Sequence, residues 1–241
     1  MPRAAKPRYP LCGYERGIRI SGTDQFSLTD TQDFIDRWTD PDGSERSNFQ
    51  SFANELCTLI GVETPASSGK DNDEYGFERR VKVRRLEGKS PTNFIDLYRR
   101  GCFVLEAKQS RKRQNLTPEK AVQLELNGTD KPSKPGGKGW DILMQNAKIQ
   151  AENYAKCLPE SEGWPPFLIL VDVGNVIEVY SDFSLQGKHY AQFPDRQSFR
   201  IRLDDLKKPE IQNRLRLIWE DPLSLNPAKR TAEVTREVAD L

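Results

Sequence analysis

Residues 93–108 carry charged side chains inside a strand–turn–strand pattern that is otherwise apolar. The segments NFIDLY and CFVLEAK are typical of two strands, and the polar residues 99–101 supply a tight turn between them. Side chains alternate along a strand, so Glu106 and Lys108 are expected on one face and the apolar residues between them on the other. Asp96, on the paired strand, is expected beside Glu106. The pattern therefore predicts a β-hairpin that brings two carboxylates and a lysine to one spot.

The spacing Asp-x9-Glu-x-Lys offers the ligands that a magnesium ion prefers. Mg²⁺ binds carboxylate oxygens, keeps several waters and accepts phosphate oxygens. We therefore expect Asp96, Glu106 and the backbone carbonyl of Ala107 to hold Mg²⁺, or Mn²⁺ as its substitute. Lys108 is expected to orient the metal-activated water or to neutralise charge in the transition state. A buried Glu–Lys ion pair without chemistry is the alternative interpretation of the same residues.

A helix predicted to start after Ser44 contributes a third acid. Its pattern runs to Ile60 and ends at Gly61, with a serine N-cap and a glycine C-cap. At 100° per residue its apolar side chains form one stripe, and Glu45 falls within that stripe. An acid on a buried helix face is costly unless a positive group needs it. Glu45 is therefore expected to point towards the same site.

Composition excludes several classes of protein. The 241-residue chain has a net charge of +1 and no apolar run of the about 18 residues that a membrane span requires. His189 is the only histidine, which excludes catalytic triads built on histidine. The four cysteines are scattered without a CxxC pair, so reduced thiols in a cytoplasmic protein are expected and a zinc site is not.

Two basic clusters flank the predicted carboxylates, and a basic rim is how a nuclease holds phosphates. The alternative is a solvated surface. The clusters are Arg79, Arg80, Lys82, Arg84 and Arg85, and then Lys108, Arg111, Lys112 and Arg113.

The rest of the chain predicts an α/β fold in which a mixed sheet is flanked by helices. Helical periodicity covers residues 27–39, 140–158 and 208–220, and strand patterns cover 75–86, 165–183 with a Gly174-Asn175 turn, and 198–206. Residues 109–139 are polar and rich in Lys, Pro and Gly, which is typical of a flexible insertion.

Several polar side chains near the predicted site have two interpretations each. Gln145, Asn146 and Gln150 either line a DNA-binding side of the 140–158 helix or are simply solvated. Asp172, between apolar residues, is expected to be a structural acid satisfied at the sheet edge or by a helix N-terminus rather than a metal ligand. Glu78 is either a further acid near the site or one half of a cross-strand ion pair.

The chain also resembles the N-terminal domain of bacterial proteins that fuse a PD-(D/E)xK nuclease domain to an adenine-specific DNA methyltransferase. These are the single-chain restriction-modification enzymes of type IIL and the related methyltransferases of DISARM-like phage-defence systems. The matching blocks are SERSNFQSFANELCTLIGV, YGFERRV, FIDLYRRGCFVLEAKQ, GWDILMQNAKIQAENYAKCLP, WPPFLILVDVGNVIEVYSDF and NPAKRTAEVTREVADL.

This resemblance implies a restriction-endonuclease-like three-layer fold, with nuclease roles for Asp96, Glu106 and Lys108 and with Glu45 as the helix acid. In many nucleases of this fold a glutamine near the Glu-x-Lys contacts the activated water or DNA, which makes Gln109 a fifth candidate. Double-stranded DNA is the implied substrate.

The resemblance also implies a division of the chain: an extension over residues 1–33, the nuclease-like domain over 34–222 and the start of a helical connector over 223–241. The methyltransferase and target-recognition domains, with S-adenosylmethionine as cofactor, would follow beyond this sequence. The chain contains no FxGxG-like, NPPY or DPPY string, so it is not expected to methylate by itself.

Two functions fit these observations. The first is a Mg²⁺-dependent DNA endonuclease domain that hydrolyses phosphodiesters. The second is a catalytically inactive module of the same fold that binds DNA or docks onto a methyltransferase. Intact Asp96, Glu106 and Lys108 favour the first, because a relic would be free to lose costly buried charges.

Overall fold

A computed structural model describes residues 28–39, 45–66, 74–82, 92–110 and 137–229. The helices are α1 (Leu28–Thr39), α2 (Glu45–Ile60), α3 (Lys138–Lys156) and α4 (Pro209–Glu220). The strands are β1 (Tyr75–Lys82), β2 (Thr92–Arg99), β3 (Phe103–Lys108), β4 (Phe167–Asp172), β5 (Val176–Ser181), β6 (Ala191–Gln192) and β7 (Arg200–Arg202). The stretches 1–27, 40–44, 67–73, 83–91, 111–136 and 230–241 lie outside the described residues, and with them the predicted N-cap Ser44.

The seven strands form one mixed sheet in the order β1-β2-β3-β4-β5-β6, and β7 also pairs with β5. Neighbouring strands are antiparallel except for β3 and β4, which are parallel. A parallel pair needs a crossover connection, and the chain between β3 and β4 contains α3. Among the described strands, β1 is the outermost on the side of the hairpin, and an isolated parallel bridge joins its Gly76 to Ala66.

Helices cover both faces of this sheet. Side chains of α1, α2 and α4 share one hydrophobic cluster with Phe103, Leu105 and Ala107 of β3. Side chains of α3 share a second cluster with Val104 on the opposite face. The result is the predicted three-layer α/β fold with a mixed central sheet. Among the described helices, none combines the length and apolar character that a membrane crossing requires.

The end of α2 follows its sequence signal. Gly61 has a φ of +69°, which a residue with a Cβ rarely adopts. The Gly61 amide donates to the Thr58 carbonyl and the Val62 amide to the Cys57 carbonyl, which is the Schellman arrangement. The predicted C-cap is therefore confirmed.

The strand predicted over residues 198–206 is shorter than expected. β7 contains Arg200–Arg202 only, and Leu203–Lys207 form a turn of 3₁₀ helix. The Asp205 carboxylate accepts a hydrogen bond from the backbone N–H of Arg202 at 2.9 Å, so this N–H caps the 3₁₀ turn instead of pairing with a neighbouring strand. The second Asp of LDDL thus acts as a helix-starting cap, which the apolar alternation did not indicate.

An irregularity crosses β1 and β2 at one position. Ile95 and Leu97 are two residues apart and would share a face on a regular strand. Instead Leu97 packs in the cluster with α2 and Ile95 in the cluster with α3. The switch falls at Asp96, whose register position lies opposite Glu78, and Glu78 has a left-handed φ of +57°. Asp96 therefore sits where the backbone departs from a flat sheet.

Candidate functional site

Strand β3 presents Glu106 and Lys108 to the face of the sheet that α3 covers. Val104, two residues before Glu106 on the same face of β3, packs in the hydrophobic cluster with α3. Leu105 and Ala107 pack in the cluster with α1, α2 and α4 on the opposite face. Glu106 is 2% exposed although it is an acid. The predicted alternation along β3 is therefore what the structure shows.

Lys108 and Glu106 form a short ion pair, with 2.6 Å between Lys108 Nζ and Glu106 Oε1. The Lys108 side chain is 19% exposed and the Glu106 side chain 3%. Taking both charges out of water costs several kcal/mol per ion before their attraction is counted. The fold therefore keeps the buried Glu106 carboxylate next to a positive charge.

Asp96 reaches this pair from β2. In the antiparallel pairing of β2 and β3, Leu97 lies opposite Leu105. The next residues away from the turn, Asp96 and Glu106, are therefore at the same level. Asp96 Oδ2 accepts the backbone N–H of Ala107 at 2.7 Å. A side-chain carboxylate thus stands where a neighbouring strand would offer a carbonyl. The Asp96 carboxylate lies beside the residue between Glu106 and Lys108.

The Ala107 carbonyl is directed to the same side. In a strand the N–H and C=O of one residue point towards the same neighbour, and the Ala107 N–H points towards Asp96. The next carbonyl, that of Lys108, points the other way, because it accepts the Val173 amide at 2.8 Å. Two carboxylates and one carbonyl are hard oxygen donors that suit Mg²⁺, which uses one or two carboxylates and fills its other positions with water and phosphate.

The described residues contain no group of three or more His, Cys, Asp or Glu side chains placed to hold a metal ion. A cage made only of protein side chains is therefore not what this region offers. The ligand set of Asp96, Glu106 and the Ala107 carbonyl therefore stays a prediction. The cation in contact with Glu106 in this structure is the Lys108 ammonium.

Helix α3 adds two residues to the site. Lys108 Nζ lies 3.5 Å from Gln150 Oε1, and Gln150 Nε2 donates to the Tyr154 hydroxyl at 2.8 Å. Burial raises the pKa of Tyr154, the Gln150 hydrogen bond lowers it, and the charges of Glu106 and Asp96 raise it further. The Tyr154 hydroxyl therefore lies close enough to Glu106, Asp96 and Lys108 to feel their charges.

The sequence predicts Gln150 only as a solvated or DNA-facing residue and does not predict a role for Tyr154. A signal was present, because Gln150 and Tyr154 are four residues apart and share a helix face. They flank Ala151, which is fully buried, so this face turns towards the sheet. By contrast, Gln145 and Asn146 are exposed on the same helix.

Glu45 and Gln109 are not brought to the site by any described contact. Glu45 is the first residue of α2, and its side chain lies outside the described residues. Gln50 Nε2, in the second turn of α2, lies 3.5 Å from Glu78 Oε1, and Glu78 lies across from Asp96 at the position where the β1–β2 pairing is interrupted. Gln109 is 4% exposed directly after β3, and its Oε1 accepts no hydrogen bond in the described part of the chain.

One member of the predicted basic rim is buried. Arg79 donates to Glu162 at 2.7 Å, and its guanidinium lies 4.6 Å from the centre of the Tyr98 ring. The expectation that Arg79 faces phosphates is therefore wrong, because an acid 83 residues later in the chain neutralises it. Arg80 and Lys82 are exposed. The other predicted rim cations beyond β1 and β3 lie outside the described residues.

Asp172 is a structural acid, as predicted. Its Oδ1 accepts the Ser110 amide at 2.8 Å. Its Oδ2 accepts the Ser110 hydroxyl, the Trp140 indole N–H and the Asn175 amide at 2.7, 2.7 and 2.9 Å. These donors tie the end of β4 to the start of α3 and to the β4–β5 turn.

Comparison with known proteins adds one finding. A family model described as "MmeI, N-terminal domain" matches residues 26–241, which is most of the chain. No curated protein and no solved structure matches the chain.

Proposed function

The chain belongs to the family of MmeI N-terminal domains, the N-terminal part of type IIL restriction-modification enzymes, and on that premise we propose that it is a Mg²⁺-dependent DNA endonuclease domain. The observation that carries the proposal is the Asp96 carboxylate bound to the Ala107 amide, beside the buried Glu106–Lys108 pair. Family membership supplies the class of enzyme, and this group of residues supplies the chemistry.

Asp96, Glu106 and the Ala107 carbonyl would hold the divalent ion. When bound, Mg²⁺ or Mn²⁺ supplies charge stabilisation at the phosphoryl group and activates water for attack on the phosphodiester. Lys108 would orient the attacking water or neutralise charge in the transition state with its ammonium group, which lies on β3 beside Glu106. The Asp96 carboxylate is held by the Ala107 amide, so this proposed ligand is already oriented before the ion binds.

Glu45 and Gln109 complete the proposal as expected contributors from α2 and from the end of β3. Double-stranded DNA is the proposed substrate, with the exposed Arg80 and Lys82 among the groups that can meet its phosphates. Cytoplasmic location, a role in phage defence, and downstream methyltransferase and target-recognition domains that use S-adenosylmethionine belong to the same proposal. The boundaries at residues 33, 222 and 223 stay predictions.

The proposal is tested by incubating supercoiled plasmid with the chain in Mg²⁺ or Mn²⁺. We expect nicking that is lost in Lys108→Ala by about 10³-fold, because one preorganised charged donor at a reacting centre contributes on that order. Lys148→Ala is the matched control, since Lys148 lies on α3 and pairs with Glu152 instead. Its nicking rate should equal that of the native chain.

Two outcomes contradict this proposal. A folded native chain that retains plasmid on a gel without cutting it would favour the inactive DNA-binding or docking module. Cleavage that persists in Lys108→Ala would place the active site elsewhere. Chelation of the divalent ion by EDTA should abolish nicking, and cleavage that resists it would remove the metal from the proposal.

A further inference from the structure

Lys108 is placed between two acceptors. Its Nζ is 2.6 Å from Glu106 Oε1 on β3 and 3.5 Å from Gln150 Oε1 on α3. Glu106 is also a proposed ligand of the divalent ion, so two cations would compete for one carboxylate. Like charges a few ångströms apart repel strongly where water is scarce. An ammonium that is mostly buried cannot simply leave Glu106, because it then needs another acceptor.

Gln150 is oriented to be that acceptor. An amide side chain has one acceptor atom and one NH₂ donor group, and the two ends can be exchanged by a flip. The Tyr154 hydroxyl accepts from Gln150 Nε2 at 2.8 Å, which leaves Gln150 Oε1 as the atom turned towards Lys108. Tyr154 is itself 8% exposed, so its hydroxyl is a fixed partner.

The packing of α3 keeps this acceptor close. Ala147 and Ala151 are fully buried in the cluster that α3 shares with β3 and β4. Small side chains at these positions let the helix backbone approach the sheet closely. Gln150, next to Ala151, therefore reaches the end of β3 without a long excursion of its side chain.

We propose that Lys108 is a built-in counter-ion that exchanges partners, resting on Glu106 without a divalent ion and moving to Gln150 when Glu106 binds one. Gln150, held by Tyr154, is then a positioning residue that places the ammonium beside the reacting phosphate. The inference rests on the proposed metal role of Glu106. It assigns to Gln150 and Tyr154 the task of making metal binding compatible with a buried lysine.

The test is a double-mutant cycle on metal affinity, measured without DNA. Mn²⁺ is titrated into the full chain by calorimetry and by thermal shift, for the native protein, Lys108→Met, Gln150→Leu and the double variant. We expect Lys108→Met to bind Mn²⁺ roughly 3- to 10-fold more tightly, because the competing cation is gone. Gln150→Leu should bind roughly 3- to 10-fold more weakly, because Lys108 then has no second acceptor. The double variant should match Lys108→Met.

Gln145→Leu is the control on the same helix, since Gln145 is exposed and should leave Mn²⁺ affinity unchanged. Weaker binding in Lys108→Met would overturn the inference, because Lys108 would then assist the ion. An equal loss on Gln150→Leu with and without Lys108 would overturn it too, since Gln150 would act directly on the ion. Absence of saturable Mn²⁺ binding in both the native chain and Lys108→Met would instead remove the metal site of the proposed function, and the inference with it.

Discussion

The sheet buries acids at the ends of two adjacent parallel strands, and it treats them differently. Asp172 ends β4 in register with Lys108 of β3, yet the ammonium of Lys108 contacts Glu106. Asp172 is held by neutral donors from Ser110, Trp140 and Asn175. Glu106 is held by a lysine.

This difference separates a structural acid from a candidate ligand. Neutral donors on three separate segments fix the Asp172 carboxylate and use it to join those segments. A lysine on a flexible stem can be exchanged for another cation, and Asp96 stands next to it on a neighbouring strand. Burial alone does not distinguish these acids, since Asp172 is 1% exposed and Glu106 2%. The nature of the partners does.

Glu106→Gln tests this difference between the two acids most directly. We expect DNA cleavage to fall by about 10³-fold or more, which is about 4 kcal/mol of transition-state stabilisation. The free energy of unfolding should also fall, by about 2–3 kcal/mol, because the mostly buried Lys108 ammonium loses its counter-charge. Plasmid nicking and urea unfolding of the same sample measure both. A large stability loss with cleavage retained would make Glu106 the structural acid.

Asp172→Asn should lower stability without affecting the metal site, and we expect a loss of about 3 kcal/mol in the free energy of unfolding. An amide cannot accept from all the donors around Asp172, because its NH₂ would face either the Ser110 amide or the donors on the other side. The charge-assisted part of these bonds is also lost. Urea unfolding measures the effect, and Mn²⁺ affinity of the folded fraction should be unchanged. A loss of Mn²⁺ binding at full stability would show that Asp172 belongs to the metal site.

Tyr154→Phe should produce the smallest effect, a loss of roughly 2- to 5-fold in cleavage rate. The hydroxyl that orients Gln150 disappears, while the ring and its packing remain.

Burial raises the pKa of Tyr154, so in the native fold the phenol stays protonated. Its stabilising contribution is complete below the unfolded pKa of about 10 and is lost as pH rises through the folded value. Unfolding measured from pH 8 to 11 should therefore show less alkaline destabilisation in Tyr154→Phe; an unchanged alkaline profile would contradict a buried phenol.

The parts of the fold that the sequence predicted are those with local signals. Period-2 alternation located the hairpin and put Glu106 and Lys108 on one face, and a glycine marked the end of α2. The structural role of Asp172 followed from an acid inside an apolar strand. Each of these depends on residues close together in the chain, where spacing and steric preference decide the outcome.

The parts that could not be predicted depend on contacts between distant segments. The burial of Arg79 requires Glu162, which follows α3. The bond from Ala107 to Asp96 requires β2 to leave its regular alternation at Asp96, opposite the left-handed Glu78. The spacing of Gln150 and Tyr154 indicates a shared helix face, but the contact of Gln150 with Lys108 depends on how α3 packs on β3. The approach of Glu45, which concerns a side chain outside the described residues, stays a prediction.

The left-handed backbone at Glu78 also affects how copies of this domain behave at high concentration. The outermost strand of a sheet presents backbone groups that a foreign strand can extend, which is a route to aggregation. In β1, the outermost described strand on this side of the sheet, Glu78 interrupts the extended backbone midway, and Arg80 and Lys82 add exposed charges beyond it. A strand from another molecule laid along this edge would meet a kink and then two cations. The irregularity that lies opposite Asp96 thus also guards the sheet against joining its neighbours edge to edge.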